Sequence, residues 1–273
     1  MNALADALNT VIRKAQPVRN PGDYIQDGLL YCGACRTPKQ CRVRFGAALR
    51  VVGCQCSCAA QRYEAARKAE QQRQELERIE RLRASCIADR AVRGYTFASA
   101  EETPDLLRCK AYAQHLGEAV RENRGLLLWG NTGTGKTFAA ACIANAALDR
   151  GIPAMVTSFP KILGAPWDAR DKIIGQLNRY KLLVLDDLGA ERQSDYALET
   201  VYQVVDERYK SGLPLIVTTN LPLSALTKPK NMDCQRIYDR VLELCTPLYF
   251  GGENRRRQKA NANLKWLREV TEP

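Results

Sequence analysis

The chain has 273 residues, of which 45% are hydrophobic, so it can form one large domain or a medium-sized domain with a small one. Its formal net charge of +11 favours a polyanionic partner such as a nucleic acid. The first residues are amphipathic and charged, unlike a secretory signal, and no run reaches the roughly 18 apolar residues that span a bilayer. These properties exclude a membrane-spanning protein and predict a cytoplasmic chain without a membrane partner.

Three regions of the chain differ in composition. Residues 1–58 contain six of the eleven cysteines and several turn signals. Residues 59–90 begin with 27 residues free of Gly and Pro and rich in Ala, Glu, Gln and Arg, which favours a charged linker helix over a sustained coiled coil. Residues 91–273 alternate helix signals with continuous apolar strands, which predicts an α/β domain whose parallel sheet is covered on both faces.

The cysteine cluster has the spacing of a metal site. Cys32 and Cys35 form a C-x2-C pair, and VVGCQCSC adds Cys54, Cys56 and Cys58 after 18 intervening residues. In a reducing cytoplasm such a cluster indicates metal binding rather than disulfides. The arrangement approximates a zinc ribbon, so we expect four of these five thiolates to bind one Zn²⁺. The segment has few apolar residues and is expected to need that metal in order to fold.

Two features keep other interpretations of the cluster open. Only two of the three cysteines at residues 54–58 fit a four-ligand site, and Cys41 is a sixth candidate ligand. If residues 54–58 continue a strand, all three thiols lie on one face, an arrangement that an iron–sulfur cluster could also use. Unmetallated thiols are the third alternative.

The stretch GNTGTGKT, from Gly130 to Thr137, matches the pattern G-x-x-x-x-G-K-S/T between a predicted strand and a predicted helix. The backbone N–H groups of such a loop and the helix N-terminus attract phosphates. We expect Lys136 to reach the β- and γ-phosphates of ATP and the Thr137 hydroxyl to bind Mg²⁺. The other residues expected to surround the nucleotide are Asn131, Thr132, Gly133, Thr134 and Gly135.

Polar side chains end two further strands that are otherwise apolar. In LLVLDDLG the acids are Asp186 and Asp187, and in IVTTN the last residue is Asn220. Parallel α/β sheets bind ligands at the carboxyl ends of their strands. We therefore expect Asp186 to hold Mg²⁺, Asp187 to orient the attacking water as a base, and Asn220 to position that water. Helix capping by the two acids and a simple turn at Asn220 are the alternatives.

The segment CQRIYDRVLELC carries two arginines on one predicted helix face. Arg236 and Arg240 are four residues apart, so they lie one helical turn from each other. They either pair with Asp233 and Asp239 in solvent, or supply an arginine finger that stabilises γ-phosphate charge in a neighbouring subunit. The second interpretation places the active site at a subunit interface.

Taken in order, these segments resemble AAA+ ATPases of the DnaC/DnaI helicase-loader type and the related IstB transposition ATPases, over residues 90–260. DDLGAE, at 186–191, is the most specific piece. The resemblance implies that Asn220 is the sensor 1 residue, that Arg236 is the arginine finger and that the C-terminal lid is minimal. GGENRRR, at 251–257, is similar to the sensor 2 stretch and aligns Arg256 with its arginine. Asn254 replaces a serine there, and three consecutive arginines leave the acting one open.

The resemblance also bears on three segments outside these motifs. YTFASA, at 95–100, is similar to the segment that the family places beside the adenine, where Phe97 either packs on the base or joins the core. Lys161, Arg170 and Lys172 are either DNA contacts or ordinary surface charge. Residues 1–58 are expected to contact a helicase, DNA or both.

The resemblance implies an ATP-dependent helicase loader. Such a protein binds ATP with Mg²⁺, assembles through its ATP sites with an arginine in trans, binds single-stranded DNA and delivers a DnaB-type replicative helicase, and hydrolysis drives its release. The leading alternative is an IstB-like transposition-targeting ATPase that binds duplex DNA. A P-loop small-molecule kinase and a non-enzymatic adaptor with a relic nucleotide site are less consistent with the paired arginines and the intact motifs.

Overall fold

The computed structural model describes residues 17–45, 48–190, 194–229 and 231–271. The chain divides into two compact units, Met1–Glu77 and Arg78–Pro273. The division falls within one long helix, α1 (Ser57–Cys86). The domain limits at residues 58 and 90 stay predictions. Among the described residues, none of the helices has the length and apolar character that a membrane span requires.

The first unit contains two antiparallel hairpins. Their strands are β1 (Tyr24–Gln26) with β2 (Leu29–Tyr31), and β3 (Gln40–Phe45) with β4 (Ala48–Gly53). Asp27 and Gly28 join the first pair with φ values of 50° and 73°. A two-residue hairpin turn needs positive φ at both positions, which Asp and Gly tolerate.

Helix α1 confirms the expected solvated helix and extends slightly beyond the predicted stretch at both ends. Cys86 is its only buried residue, and Leu76 is 64% exposed. Charged side chains one turn apart support it, as in the Glu70–Arg73 pair at 2.8 Å.

The second unit is built on a five-stranded parallel sheet, as the sequence predicted. The strands are β5 (Gly125–Gly130), β6 (Ala154–Ser158), β7 (Leu182–Leu188), β8 (Leu215–Thr219) and β9 (Cys245–Phe250). Their spatial order is β6-β7-β8-β5-β9. The carboxyl ends of β5, β7 and β8 therefore lie side by side, which is where the predicted site residues follow the strands.

Helices cover both faces of this sheet. The helices that begin within the second unit are α2 (Arg90–Arg93), α3 (Pro104–Gln114), α4 (Leu116–Arg121), α5 (Lys136–Asp149), α6 (Phe159–Leu163), α7 (Trp167–Gln176), α8 (Asp195–Ser211), α9 (Leu223–Thr227), α10 (Met232–Leu244) and α11 (Arg255–Thr271), of which α11 buries no residue. Ser194 caps α8 and Asn231 caps α10 through side-chain oxygens, as polar N-cap residues do. One helix, α11, follows β9 among the described residues, and the minimal lid stays a prediction.

Successive residues of a strand pack into the hydrophobic clusters on opposite faces of the sheet. Leu127 packs in the cluster formed with α8 and α10, whereas Leu128 packs in the cluster formed with α3 and α5. This alternation is the period of two that a strand imposes, and both faces are apolar because both are covered.

Arg208 is a buried cation beneath the sheet. Its guanidinium donates to the carbonyls of Pro214 at 2.7 Å, Tyr180 at 2.9 Å and Lys181 at 3.1 Å. Burial lowers its pKa to about 10. The side chain thus ties together the segments that enter β7 and β8.

Candidate nucleotide and metal sites

Glycines shape the loop that joins β5 to α5. Gly130, Gly133 and Gly135 have φ values of 139°, 82° and 104°, which residues other than glycine rarely adopt. A Cβ on Gly130 would lie 2.3 Å from the Phe250 carbonyl oxygen. The loop conformation therefore depends on glycine at these positions of the motif.

A cavity of about 580 Å³ opens beside this loop, within the size range of small-molecule sites. The loop contributes Thr132, Gly133, Gly135, Lys136 and Thr137 to its lining. The other walls are the ends of β7 and β8, the first turns of α11, and the segment around residues 95–101. Four separate parts of the second unit thus meet at one cavity.

Lys136 lies at the floor of the cavity and is only 6% exposed. Its ammonium donates to the carbonyls of Gly130 at 2.9 Å and Asn131 at 2.7 Å. Burial lowers the pKa of Lys136, while the nearby carboxylates of Asp187 and Asp186 oppose that shift. Thr134 braces the same turn by donating to the Asn131 carbonyl at 3.0 Å.

Asp186 is held by two hydroxyl groups. Thr137 Oγ1 donates to Asp186 Oδ1 at 2.9 Å, and Thr218 Oγ1 donates to the same oxygen at 2.5 Å. Burial is the main cause that raises the pKa of Asp186, and the Asp187 charge adds to it, while the two hydroxyls act in the opposite direction. A hydroxyl beside a carboxylate is an oxygen donor set that suits Mg²⁺, so Thr137 and Asp186 fit the predicted ion.

A bulge turns Asp187 away from its neighbour. The pairing of β7 with β8 shifts register between Leu185 and Leu188, and Asp187 has a φ of 59°. Its N–H donates to Thr218 Oγ1 at 3.0 Å. Asp187 therefore lines the cavity while Asp186 is held against Thr137. Such left-handed, non-glycine conformations cluster at functional sites.

The structure brings the predicted residues Lys136, Asp187 and Asn220 to this one cavity. Asn220 directly follows β8, so the amide arrives by the strand-end position that the sequence indicated. Thr218 was missed by sequence reasoning. Its only signal is the run of polar residues at the end of β8, which was interpreted for Asn220 alone.

Asn254 caps helix α11 next to the phosphate loop. Its side-chain oxygen accepts from the N–H groups of Arg256 at 3.0 Å and Arg257 at 3.2 Å. The Arg255 N–H donates to the Gly133 carbonyl at 3.0 Å, which ties the helix to the loop. Asparagine and serine are both strong N-cap residues, so the replacement keeps the capping role of this position.

The start of α11 makes the far wall of the cavity basic. Arg255, Arg256 and Lys259 line it, whereas Arg257 does not. The positive charge of Arg256 contributes to lowering the pKa of Lys136, although burial is the larger cause. Of the three consecutive arginines, two are therefore placed beside the loop.

Aromatic rings form the end of the cavity away from the strand ends. Tyr95 and Phe138 line it, with ring centroids 4.9 Å apart. Phe97 instead packs against the core cluster below α5, which decides between its two predicted positions. Sequence reasoning missed Tyr95 and Phe138, although Phe138 directly follows the loop motif.

Arg236 lies on α10, is exposed, and does not line the nucleotide cavity. It lines a second hollow of about 240 Å³ together with the acids Asp195, Glu199 and Asp233. The arginine is therefore presented on a separate surface of the second unit.

Arg240 has partners that the sequence did not indicate. It forms an ion pair with Asp206 at 3.1 Å, and its guanidinium lies 4.9 Å from the Tyr202 ring centroid. The predicted solvated pairing with Asp233 or Asp239 is wrong for Arg240, because α8 brings Asp206 and Tyr202 against α10.

In the first unit, four sulfur atoms converge. Those of Cys32, Cys35, Cys56 and Cys58 all lie within 4.8 Å of one another. Cys58 Sγ is 3.6 Å from Cys32 Sγ and 3.4 Å from Cys56 Sγ. Tetrahedral zinc with Zn–S bonds of about 2.3 Å places its sulfurs roughly 3.8 Å apart. The four thiols therefore fit the zinc that the spacing predicted.

The fifth candidate cysteine points elsewhere. The Cys54 thiol donates to the Pro38 carbonyl at 3.4 Å and is not part of the converging set, and neither is Cys41. Strand β4 ends at Gly53 and helix α1 begins at Ser57. The alternative that residues 54–58 continue a strand is wrong, because the chain turns into the helix and leaves the Cys54 thiol apart from those of Cys56 and Cys58.

Hydrogen bonds favour the thiolate form at the first cysteine pair. The N–H groups of Cys35 and Ala34 lower the pKa of Cys32. The Thr37 hydroxyl is the main cause that lowers the pKa of Cys35 to about 5. The neighbouring Cys56 is the main cause that raises the pKa of Cys58 to about 11. Metal binding requires deprotonated thiols.

A buried ion pair supports the same turn and was not predicted. Asp23 pairs with Lys39 at 2.6 Å and accepts from the Gly33 N–H at 3.0 Å. Hydrogen bonding to Lys39 is the main cause that lowers the pKa of Asp23 to about 2. A Cβ on Gly33 would lie 2.2 Å from the Gly22 carbonyl oxygen, so the turn between the first two cysteines needs glycine.

The chain is similar in sequence to known proteins. Residues 60–262 match the family described as IstB-like ATP binding proteins. The replicative helicase loader DnaI of Bacillus subtilis is 29% identical over 150 residues, which are 50% of this chain and 48% of that protein. The replicative helicase loader DnaC of Escherichia coli is 30% identical over 119 residues, 41% of this chain and 47% of that protein. The chain therefore spans about half the length of the relatives it matches.

A solved structure of DnaI supports the fold. It superposes with a TM-score of 0.53 at 23% identity, and it covers 63% of this chain and 98% of its own. The chain therefore shares the fold of that DnaI structure. The chain belongs to the family of IstB-like ATP-binding proteins.

Proposed function

We propose that this protein is an ATP-hydrolysing loader of a DnaB-type replicative helicase. The observation that carries the proposal is the convergence of Lys136, Asp187, Asn220 and the basic start of α11 on one cavity. Both relatives named above are replicative helicase loaders, and their names are the reason for proposing helicase loading as the purpose of the ATPase.

The cavity residues divide the work of phosphoryl transfer. Lys136 and the loop N–H groups bind the β- and γ-phosphates, and Arg256 adds charge from the opposite wall. Thr137 and Asp186 hold Mg²⁺, which when bound neutralises phosphate charge. Asp187 and Asn220 orient water toward the γ-phosphate, and Asp187 accepts its proton.

A second copy of the chain completes the site by supplying Arg236. Opposite charges support this arrangement. Arg236 is surrounded by three acids on one surface, and α11 carries six basic residues and one acid beside the nucleotide cavity. Helix α11 also exposes apolar side chains on one face, including Leu267 at 48% and Val270 at 58%. Head-to-tail contact of these two surfaces generates a ring or a helical filament.

Mixing two inactive variants tests the shared site. Lys136→Ala removes ATP binding but keeps the finger, whereas Arg236→Ala binds ATP but lacks the finger. Each alone should hydrolyse ATP at background rate, and the mixture should recover activity. Failure to recover, with both variants folded and ATP bound to Arg236→Ala, removes the in-trans role.

Two exposed aromatic rings support single-stranded DNA binding. Trp167 and Tyr196 are 65% and 42% exposed, and their centroids are 6.0 Å apart. Arg170 lies 4.8 Å from the Tyr196 ring centroid and donates to the Leu163 and Ala165 carbonyls. The prediction that Arg170 contacts DNA is wrong, because its side chain is buried. It instead braces rings on which bases stack, and Trp167→Ala should weaken oligonucleotide binding roughly tenfold.

The cysteine-containing unit is the proposed contact with the helicase, alone or together with DNA. Its four thiols hold Zn²⁺ and fix the two hairpins for that contact. The alternative function, a transposition-targeting ATPase on duplex DNA, draws on the same family description. The two named helicase loaders among the relatives favour loading.

Co-purification separates these two functions. The full chain should retain a DnaB-type helicase in the presence of ATP and release it as ATP is hydrolysed. Preference for duplex DNA and a transposase, with no helicase retained in either nucleotide state, would support the alternative and contradict the proposal.

A further inference from the structure

One side chain fixes the aromatic end of the nucleotide cavity. Asn145 lies on α5 and is 1% exposed. Its amide nitrogen donates to the carbonyls of Val92 and Tyr95, both at 2.9 Å, and to that of Ala141 at 3.1 Å. The first two bonds anchor the segment that carries the Tyr95 ring to the cavity. Asn145 thus joins α5, the helix that follows the phosphate loop, to the segment that carries Tyr95.

The oxygen of the same amide accepts a hydrogen bond from a side chain of helix α1. Arg83 Nε donates to Asn145 Oδ1 at 3.2 Å, and the Arg83 guanidinium also pairs with Asp149 and Glu80. The Arg83 side chain is 15% exposed. Asn145 therefore has protein partners for both its oxygen and its nitrogen, which fixes its orientation.

The end of α1 is also attached to the parallel sheet of the second unit. Ile87, directly after the helix, is 1% exposed and forms a parallel bridge with Val156 beside the edge strand β6. The remainder of α1 is a solvated helix that runs back in sequence to the cysteine cluster. Arg83 is thus one polar connection from the end of this helix to the residues that line the nucleotide cavity, and Arg93, which donates to the carbonyls of Ala84 and Ile87, is another.

We propose that Arg83 and Asn145 are positioning residues that couple the end of helix α1 to the base side of the nucleotide cavity. The inference rests on the proposed ATP site, with phosphates at the loop and the base against Tyr95 and Phe138. A base that packs on Tyr95 stabilises the 92–95 segment, and through Asn145 it stabilises the placement of Arg83. Coupling of this kind is reciprocal, so a partner that displaces the helix end also weakens nucleotide binding.

Comparing two ligands separates positioning from general stability. ATP meets the loop and the aromatic wall, whereas inorganic tripolyphosphate meets the loop alone. Asn145→Leu keeps the side-chain volume but leaves the Val92 and Tyr95 carbonyls without their donor. Binding measured by calorimetry on the full chain should weaken roughly tenfold for ATP and change less than about twofold for tripolyphosphate.

A matched pair on the same helix tests the Arg83 step. Arg83→Ala should weaken ATP binding about threefold, and Arg73→Ala, which removes an exposed ion pair with Glu70, should leave it unchanged. The double variant of Arg83 and Asn145 should lose no more than Asn145→Leu alone, because the two residues act in series. Bound ATP should also slow amide hydrogen exchange over residues 78–86 in the wild type but not in Arg83→Ala.

Three outcomes would overturn the coupling. They are equal losses for ATP and tripolyphosphate, additive losses in the double variant, and unchanged exchange over residues 78–86. Arg83 is partly exposed, so its variant keeps the test available if Asn145→Leu does not fold. A wild-type chain that bound neither ligand would instead remove the nucleotide site itself.

Discussion

The two units of this chain are stabilised by different means. In the Arg78–Pro273 unit, strands such as β5 bury leucines on both faces of a sheet. Among the described residues up to Glu77, the buried apolar side chains are Leu30, Cys32 and Cys56, and the buried polar ones are Asp23 and Lys39. Burial of one leucine contributes about 2 kcal/mol, whereas a structural zinc contributes about 10 kcal/mol or more. We therefore expect folding of the first unit to depend on the proposed zinc, and folding of the second unit not to depend on it.

Zinc removal should have the largest effect on stability. It should unfold the first unit and leave the second unit folded. A chelator is expected to unfold residues 17–77, because the loss of about 10 kcal/mol exceeds what one buried leucine supplies. Limited proteolysis should then cut that region within minutes while the second unit persists and still binds ATP. A front region that resists protease after metal analysis shows no zinc would contradict the comparison.

Two neighbouring cysteines sharpen the assignment of ligands. Cys56→Ser should abolish stoichiometric zinc because it removes one of four converging thiols. Cys54→Ser is the matched control and should retain about one zinc per chain, since Cys54 contacts the Pro38 carbonyl instead. Equal zinc contents for the two variants would show that the converging set is assigned wrongly.

Lys136→Ala should disable the second unit and leave the first intact. Loss of charge-assisted bonds to two phosphates should weaken ATP binding by roughly a hundredfold or more. Calorimetry measures that loss, and the zinc content serves as the control. Unchanged ATP affinity would remove the phosphate-loop assignment.

Arg208→Met tests the core of the second unit by itself. The substitution removes the guanidinium donors from the carbonyls of Tyr180 and Pro214 at the starts of β7 and β8, which should lower the free energy of unfolding by about 3 kcal/mol. Chemical denaturation followed in the presence of zinc should show this change in the second unit only. A matching loss of protease resistance in residues 17–77 would mean that the two units are not independently stabilised.

Much of the second unit was predictable because its signals are local. Gly135 and Lys136 belong to one short motif, and the strands are continuous apolar runs of the right length. Thr218 and Asn145 escaped prediction because each acts on residues more than 30 positions away in sequence. Nothing in the residues around them indicates those partners.

In the first unit, too, contacts distant in sequence decided what the sequence could not predict. The spacing indicated a four-thiol site but not which of the last three cysteines is left out. That choice depends on where β4 ends and α1 begins, and on a contact between Cys54 and Pro38 across the fold. Similarly, Arg170 is basic in the sequence but buried in the fold, because Trp167 and Tyr196 close over it.

The most direct test of the loader hypothesis measures how much DnaB-type helicase the full chain retains in ATP before and after zinc is removed. The account predicts that the zinc-bound chain retains helicase, and that the stripped chain loses helicase while its ATP affinity stays within about twofold. Full helicase retention by the stripped chain would contradict the assigned division of work between the two units.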